Sequence, residues 1–171
     1  MTRLTTLCKN VVTFYVNKER NVFKIKLIVV GKVKEEYYRA KIDELVHVIN
    51  KNNNIQIIEL EDESIPKNAG ESIMHLVKEK EGERILENIN NQDYVIALCI
   101  DGKITDDKGL ENIFSDRHKQ ETECIDFVIG GSLGLDDKVV RRANYKLSFS
   151  KMTFPHQLMR VMLLEQINKV L

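Results

Sequence analysis

An α/β fold built on a mainly parallel sheet is the class this sequence predicts, and three observations carry that prediction. Short runs rich in Ile, Val and Leu recur at residues 25–30, 55–60, 94–100 and 125–129. Stretches between them repeat apolar residues at helical spacing among charges. Finally, Gly, Asn or Pro punctuates the passage from one pattern to the next. Strands that are apolar with little alternation are buried on both faces, as in a parallel sheet covered by helices.

Each element follows from its own residues. The run 25–30 is closed by Gly31 and reads as a buried strand. Tyr38, Ile42, Leu45, Val46 and Ile49 then define an amphipathic helix that stops at Asn52-Asn53-Asn54. The pattern repeats with a strand at 55–60, a loop through Pro66 and Gly70, and a helix whose apolar residues are Ile73, Leu76, Val77, Leu86 and Ile89. A third strand at 94–100 leads to a turn at Asp101-Gly102 and a helix near 110–118. The fourth, 125–129, runs into Gly130-Gly131, and a short helix at 136–142 and a segment at 145–150 follow. The last helix opens at Pro155, with Thr153 placed to help cap it. Leu158, Met159, Val161, Met162, Leu163, Leu164 and Ile167 leave that helix almost no polar face, so it is buried either in the core or against a second copy of the chain.

A length of 171 residues fits one domain with one core. Residues 1–23 stand apart: Thr5, Thr6, Lys9, Asn10 and Thr13 interrupt their apolar positions, which rules against a secretory segment. They read as an N-terminal extension, with a strand at 11–16 as one option and a native start near Val22 as another. The domain proper is 24–171. No uncharged apolar run approaches the roughly 18–20 residues of a membrane helix, so a soluble, cytoplasmic protein is expected. Cys8, Cys99 and Cys124 form no CxxC pair, which argues against a disulfide framework and a zinc site, and no metal is expected.

The 26 basic and 26 acidic residues balance, so the chain lacks the surplus of a nonspecific nucleic-acid binder. One stretch is uneven: Lys138, Arg141, Arg142, Lys146, Lys151 and Arg160 occur between 138 and 164 without an acid. It is either a surface neutralised by counter-charges elsewhere or an RNA-contacting face.

Chemistry has few candidates. Gly130-Gly131-Ser132-Leu133-Gly134 follows a parallel strand, where α/β folds bind ligands, but it matches neither GxGxxG nor a phosphate loop. It is a tight turn or a ligand cradle. The segment 147–156, LSFSKMTFPH, mixes hydroxyls, two aromatics and a cation in a stretch that reads as a structured loop. His156 opens the last helix beside it and is either a base or a structural residue, while His47, His75 and His118 sit in amphipathic helices.

Residues 127–132 (FVIGGS) with Gly134-Leu135, and residues 147–157 (LSFSKMTFPHQ) with Arg160, strongly resemble the ribosomal RNA large subunit methyltransferase H family of the SPOUT superfamily. Val30-Gly31-Lys32 and Lys80-Glu81-Gly82 match it as well, and the resemblance covers roughly 24–166. It implies a parallel α/β SPOUT fold with a C-terminal trefoil knot, one of the exceptions to the rule that chains do not thread loops. It further implies a homodimer that uses S-adenosyl-L-methionine to methylate N3 of a pseudouridine in 23S rRNA of the assembled ribosome. Carried over by position, the cofactor site falls at Leu98, Gly130, Phe149, Ser150, Lys151, Met152, Thr153 and Phe154. A bulky residue at Gly130 is expected to fill the adenine slot. His156 and Arg160 are the catalytic candidates, and Arg141, Arg142 and Lys151 the RNA contacts. The family continues past the last helix with a basic, aromatic tail near a Tyr-His pair, whereas this sequence stops at Leu171. A non-catalytic homodimer that binds S-adenosylmethionine is therefore the alternative.

Overall fold

The computed structural model describes residues 22–122 and 124–171. A strand at 11–16 and the extension up to residue 21 lie outside the described residues, as does Cys8, whereas Phe23 packs edge-on against Phe114. Among the described residues five strands and five helices alternate: β1 (Lys24–Val30), α1 (Glu36–Ile49), β2 (Asn54–Leu60), α2 (Glu71–Glu87), β3 (Tyr94–Ile104), α3 (Asp107–Lys119), β4 (Ile125–Ile129), α4 (Asp137–Arg142), β5 (Tyr145–Ser148) and α5 (His156–Val170). The sheet order is β2-β1-β4-β3-β5 and every pairing is parallel. This is the predicted α/β class.

Each central strand divides its side chains between two cores. Ile25, Leu27 and Val29 of β1 and Ile125, Phe127 and Ile129 of β4 pack with Ile42, Leu45, Phe114, Leu163 and Ile167, so α1, α3 and α5 cover one face. Ile28, Val30 and Val128 meet Ile85, Leu135 and Val139 on the other face, under α2 and α4. With both faces covered, the central strands need no polar side, which is why their sequences barely alternate.

Four details differ from expectation. The third strand does not turn at Asp101-Gly102 but continues to Ile104, after a register shift in which Leu98 and Lys103 both oppose Leu147. Gly102 permits this, because a Cβ there would lie 2.7 Å from the Leu147 carbonyl carbon. The segment after α4 contributes a fifth strand, β5, so Leu147 and Ser148 belong to the sheet rather than to the following loop. On α2, Ile73 and Leu76 are exposed and the buried stripe is Val77, Glu81 and Ile85, a clean i, i+4, i+8 row with a carboxylate at its centre. Thr153 makes no capping bond to α5, where Pro155 occupies the cap position.

One polar cluster is buried near the amino ends of the strands. The Lys26 ammonium on β1 donates to the Asp93 carboxylate at 2.7 Å and to the Asn88 carbonyl at 2.7 Å. Asp126, which is Lys26's register partner on β4, places Oδ2 3.1 Å from the same ammonium but without hydrogen-bond geometry. Two carboxylates thus share one cation. Burial, with Asp93 alongside, pushes Asp126 up to about 6, whereas the Lys26 and Asn90 donors hold Asp93 below its ordinary value despite burial. Asp93, Cys124 and Asp126 have metal-ligand spacing, but the Lys26 ammonium already pairs with both carboxylates.

These shifts set opposite pH dependences. Because the Asp126 carboxyl rises from 3.8 to about 6 on folding, its contribution is fully present below its unfolded value and is lost as pH rises through about 6. Asp93 is depressed, so its contribution is lost as pH falls below its ordinary range. Thermal melts of the wild type should therefore show a midpoint that declines between about pH 4 and about pH 6, and Asp126→Asn should flatten that decline. An unchanged slope in the variant would assign the pH dependence to other groups.

Candidate active site

The glycine turn after β4 and the loop between β5 and α5 line a single cavity of about 660 Å³ at the carboxyl ends of β3, β4 and β5. Parallel sheets bind ligands at this end, where loops rather than paired strands present the backbone.

The turn is shaped by backbone contact. Gly134 adopts φ +80° and its N–H donates to the Gly131 carbonyl at 2.9 Å. A Cβ on Gly130 would sit 2.8 Å from the Gly134 carbonyl carbon and 2.9 Å from the Leu135 nitrogen, too close for any side chain. A substituent at Gly130 therefore strikes the turn itself first, which corrects the expectation that it would act by filling an adenine slot.

Hydroxyls build the second wall. Ser148 Oγ is buried within bonding reach of the Ile100 and Ser150 carbonyls, at 3.1 and 3.0 Å, and the Met152 N–H donates to Ser150 Oγ at 3.1 Å. The serines order the loop, which leaves Phe149, Met152, Thr153 and Phe154 to face the cavity. Leu98, Gly130 and Ser150 line it too, but Lys151 is exposed and is not part of the wall.

His156 lines the same cavity. Burial first, and then the Arg160 charge one helical turn away, lower its pKa and favour the neutral imidazole. Arg160 is 2% exposed and points elsewhere: its guanidinium pairs with Glu59 at 2.7 Å and donates to the Val30 and Gly31 carbonyls at 3.1 and 2.7 Å. It joins α5 to the ends of β1 and β2 and is not among the residues that line the cavity. Gln157 helps, its Oε1 accepting from the Lys34 and Glu35 N–H groups at 3.0 and 3.3 Å.

The candidate basic face is smaller than the sequence suggests. Arg160 is buried, Lys138 pairs with Glu79 at 2.8 Å, and Arg142 donates to the carbonyls of Asn90, Asn91 and Asp93. Arg142 thereby anchors α4 to the loop before β3. Arg141, Lys146 and Lys151 remain exposed.

Sequence reading missed the charged cavity residues Lys78, Asp101, Asp137 and Lys146. They come from four elements and share no motif, so nothing in the linear order marks them. Cys99 also contributes to the wall, and burial raises its pKa, which keeps the thiol protonated. Cys99 and Cys124 are both free.

A parallel α/β sheet whose ligand cavity is made from a glycine turn and a second ordered loop belongs to a known class. The profile of the family described as "Predicted SPOUT methyltransferase" matches residues 23–171, and this chain is a member of that family, an enzyme of methyl transfer. Within it, the chain is similar to proteins named Ribosomal RNA large subunit methyltransferase H. Identity is 49% over 143 residues with those of Clostridioides difficile (strain 630), Clostridium acetobutylicum and Clostridium novyi (strain NT), covering 84% of this chain and 90% of each relative. No helix among the described residues is long and apolar enough to cross a membrane.

The Arg160 arrangement has a measurable consequence. Arg160→Met removes a positive charge near His156 and should raise the imidazole pKa in an NMR titration, whereas Glu59→Gln leaves that charge uncompensated and should lower it. Glu59→Gln should also cost on the order of 2 kcal/mol in denaturant melts, less than for a fully enclosed pair because Glu59 is partly exposed. Movement of His156 in the same direction in both variants would exclude the electrostatic link.

Proposed function

We propose that this enzyme transfers the methyl group of S-adenosyl-L-methionine to N3 of a pseudouridine in 23S rRNA of the large ribosomal subunit. The observation that carries this reading is the meeting of residues 130–135 and 147–154 around one cavity, in a chain whose relatives bear the name Ribosomal RNA large subunit methyltransferase H. Threading of these two segments as a trefoil knot belongs to the same reading, as does action in the cytoplasm on assembled ribosomes.

The cavity suits the cofactor. Leu98, Phe149 and Phe154 offer apolar surface to a purine, and the glycine turn lets backbone groups approach it closely. Two cations and two anions, Lys78 and Lys146 with Asp101 and Asp137, match a ligand that carries both an ammonium and a carboxylate. Bound there, the cofactor supplies a methyl group on a positively charged sulfur.

The protein's own task is alignment and proton removal. In-line displacement needs the acceptor nitrogen held at near-attack distance, which rigid loops accomplish. N3 bears a proton that must leave as the N–C bond forms. Neutral His156 in the cavity wall is the base assigned to it, and Arg160 holds the helix that presents His156. Arg141 and Lys151 are left to contact phosphate, whereas Arg142 acts mainly on its own chain.

A homodimer completes this reading. Leu158, Val161 and Met162 of α5 are only half-buried in the single chain, and a second copy packed on that helix would cover them.

The deciding experiment supplies the protein and labelled S-adenosylmethionine to ribosomes lacking the modification, then maps label on the RNA. Methyl on a 23S rRNA pseudouridine supports the proposal. Saturable cofactor binding without transfer would leave the non-catalytic reading in its place, and absence of binding would end both. Gly130→Ala should weaken cofactor binding by about tenfold or more in calorimetry, because distortion worth 1.4 kcal/mol at the site is already a factor of ten.

A further inference from the structure

The middle of α2 holds a carboxyl group that neither the cavity chemistry nor the fold's ion pairs account for. Glu81 is 5% exposed, in the buried row between Val77 and Ile85. Its Oε1 accepts from the Glu63 N–H at 3.1 Å, but Oε2 is buried with no hydrogen-bond partner among the described residues. An orphaned buried oxygen costs free energy on the order of 1–3 kcal/mol, so its position calls for a reason.

The neighbours supply one. Glu81 Oε2 lies 2.7 Å from where a Gly131 Cβ would be, filling the space that this glycine leaves open. At the next residue the relation is reversed: a Cβ on Gly82 would lie 2.6 Å from the Asp136 Cβ, so the helix backbone lets Asp136 dock against it. Asp136 in turn caps α4 through the Lys138 N–H at 2.7 Å. The Glu81-Gly82 pair thus grips the glycine turn at both ends, near Gly131 where it begins and at Asp136 where it hands over to α4.

Charge around Glu81 is unfavourable to an anion. Asp62 and Glu63 face it from the loop after β2, and Asp136 lies one residue further along the grip. Arg84 is the compensating cation nearby, and it is already paired with Glu63, as is Lys80 at 3.8 Å. Burial first, then Asp62 and Glu63, raise the Glu81 pKa.

We propose that Glu81, whose carboxyl fills the space beside Gly131, is a positioning residue that holds the Gly130–Gly134 turn in the shape that binds the methyl donor. Ionisation places an unsolvated charge against the turn. The nearest backbone N–H groups are then drawn toward α2 and away from the ligand. Cofactor affinity consequently falls as Glu81 loses its proton. This inference rests on the cofactor reading of the cavity.

The test is calorimetry of the full chain with S-adenosylmethionine from about pH 5 to about pH 8, for wild type and Glu81→Gln. The ligand's own groups and His156 titrate alike in both proteins, so the ratio of the two affinities isolates Glu81. Wild type should weaken relative to Glu81→Gln as pH rises, by up to about tenfold. A ratio constant across the range overturns the inference while leaving the cofactor reading intact. Failure of both proteins to bind at every pH overturns the cofactor reading instead. Should Glu81→Gln not fold, Gly131→Ala serves, since its Cβ displaces the Glu81 carboxyl without removing it. A loss of about tenfold with a retained thermal midpoint is expected, and unchanged affinity counts against the proposal.

Discussion

The site depends first on a backbone approach that no side chain would permit. At Gly130 the end of β4 comes against the peptide joining Gly134 to Leu135, and this contact folds the turn back over the strand end. The rest follows from it. The hydrogen bond from Gly134 to Gly131 closes the turn, Leu135 enters the core beside Val139, and α4 begins where Asp136 can both cap it and dock on Gly82. Only then do residues 147–154 have a wall to face. Close backbone packing is a property of the whole turn, so its geometry is rigid where a side-chain contact would be adjustable.

Charge is distributed to support that geometry. Arg160 is expensive to bury, and its two carbonyl bonds and the Glu59 pair offset part of that cost, with Nε left without a hydrogen-bond partner among the described residues. The bonds reach β1 and the pair reaches β2, so a single side chain fixes the start of α5 relative to two strands. His156 inherits its environment from this arrangement.

The sheet and helices were legible because burial on two faces leaves an unmistakable apolar record, as at residues 125–129, where the expected and observed strand coincide. The two cavity segments were legible for a different reason: both are contiguous, and glycine, serine and proline in that density signal loops with work beyond connection. Legibility failed where structure is made between distant positions. The extension of β3 past Gly102 depends on the approach of Leu147, forty-five residues away, and local sequence reads the same Asp-Gly as a turn. The inward stripe of α2 was legible in part: Val77 is buried and Leu86 and Ile89 pack on the core as expected, but Glu81 looks like a surface residue until the space at Gly131 is known. Arg142 and Arg160 looked like surface cations because carbonyl acceptors in other loops carry no sequence signature.

The Lys26, Asp93 and Asp126 cluster sits at the amino end of the sheet, with the length of the strands separating it from the cavity. Acid tolerance and ligand chemistry are thereby assigned to opposite poles of the same strands. One carboxylate exchanged at the first pole retunes the stability profile without altering any residue that lines the cavity.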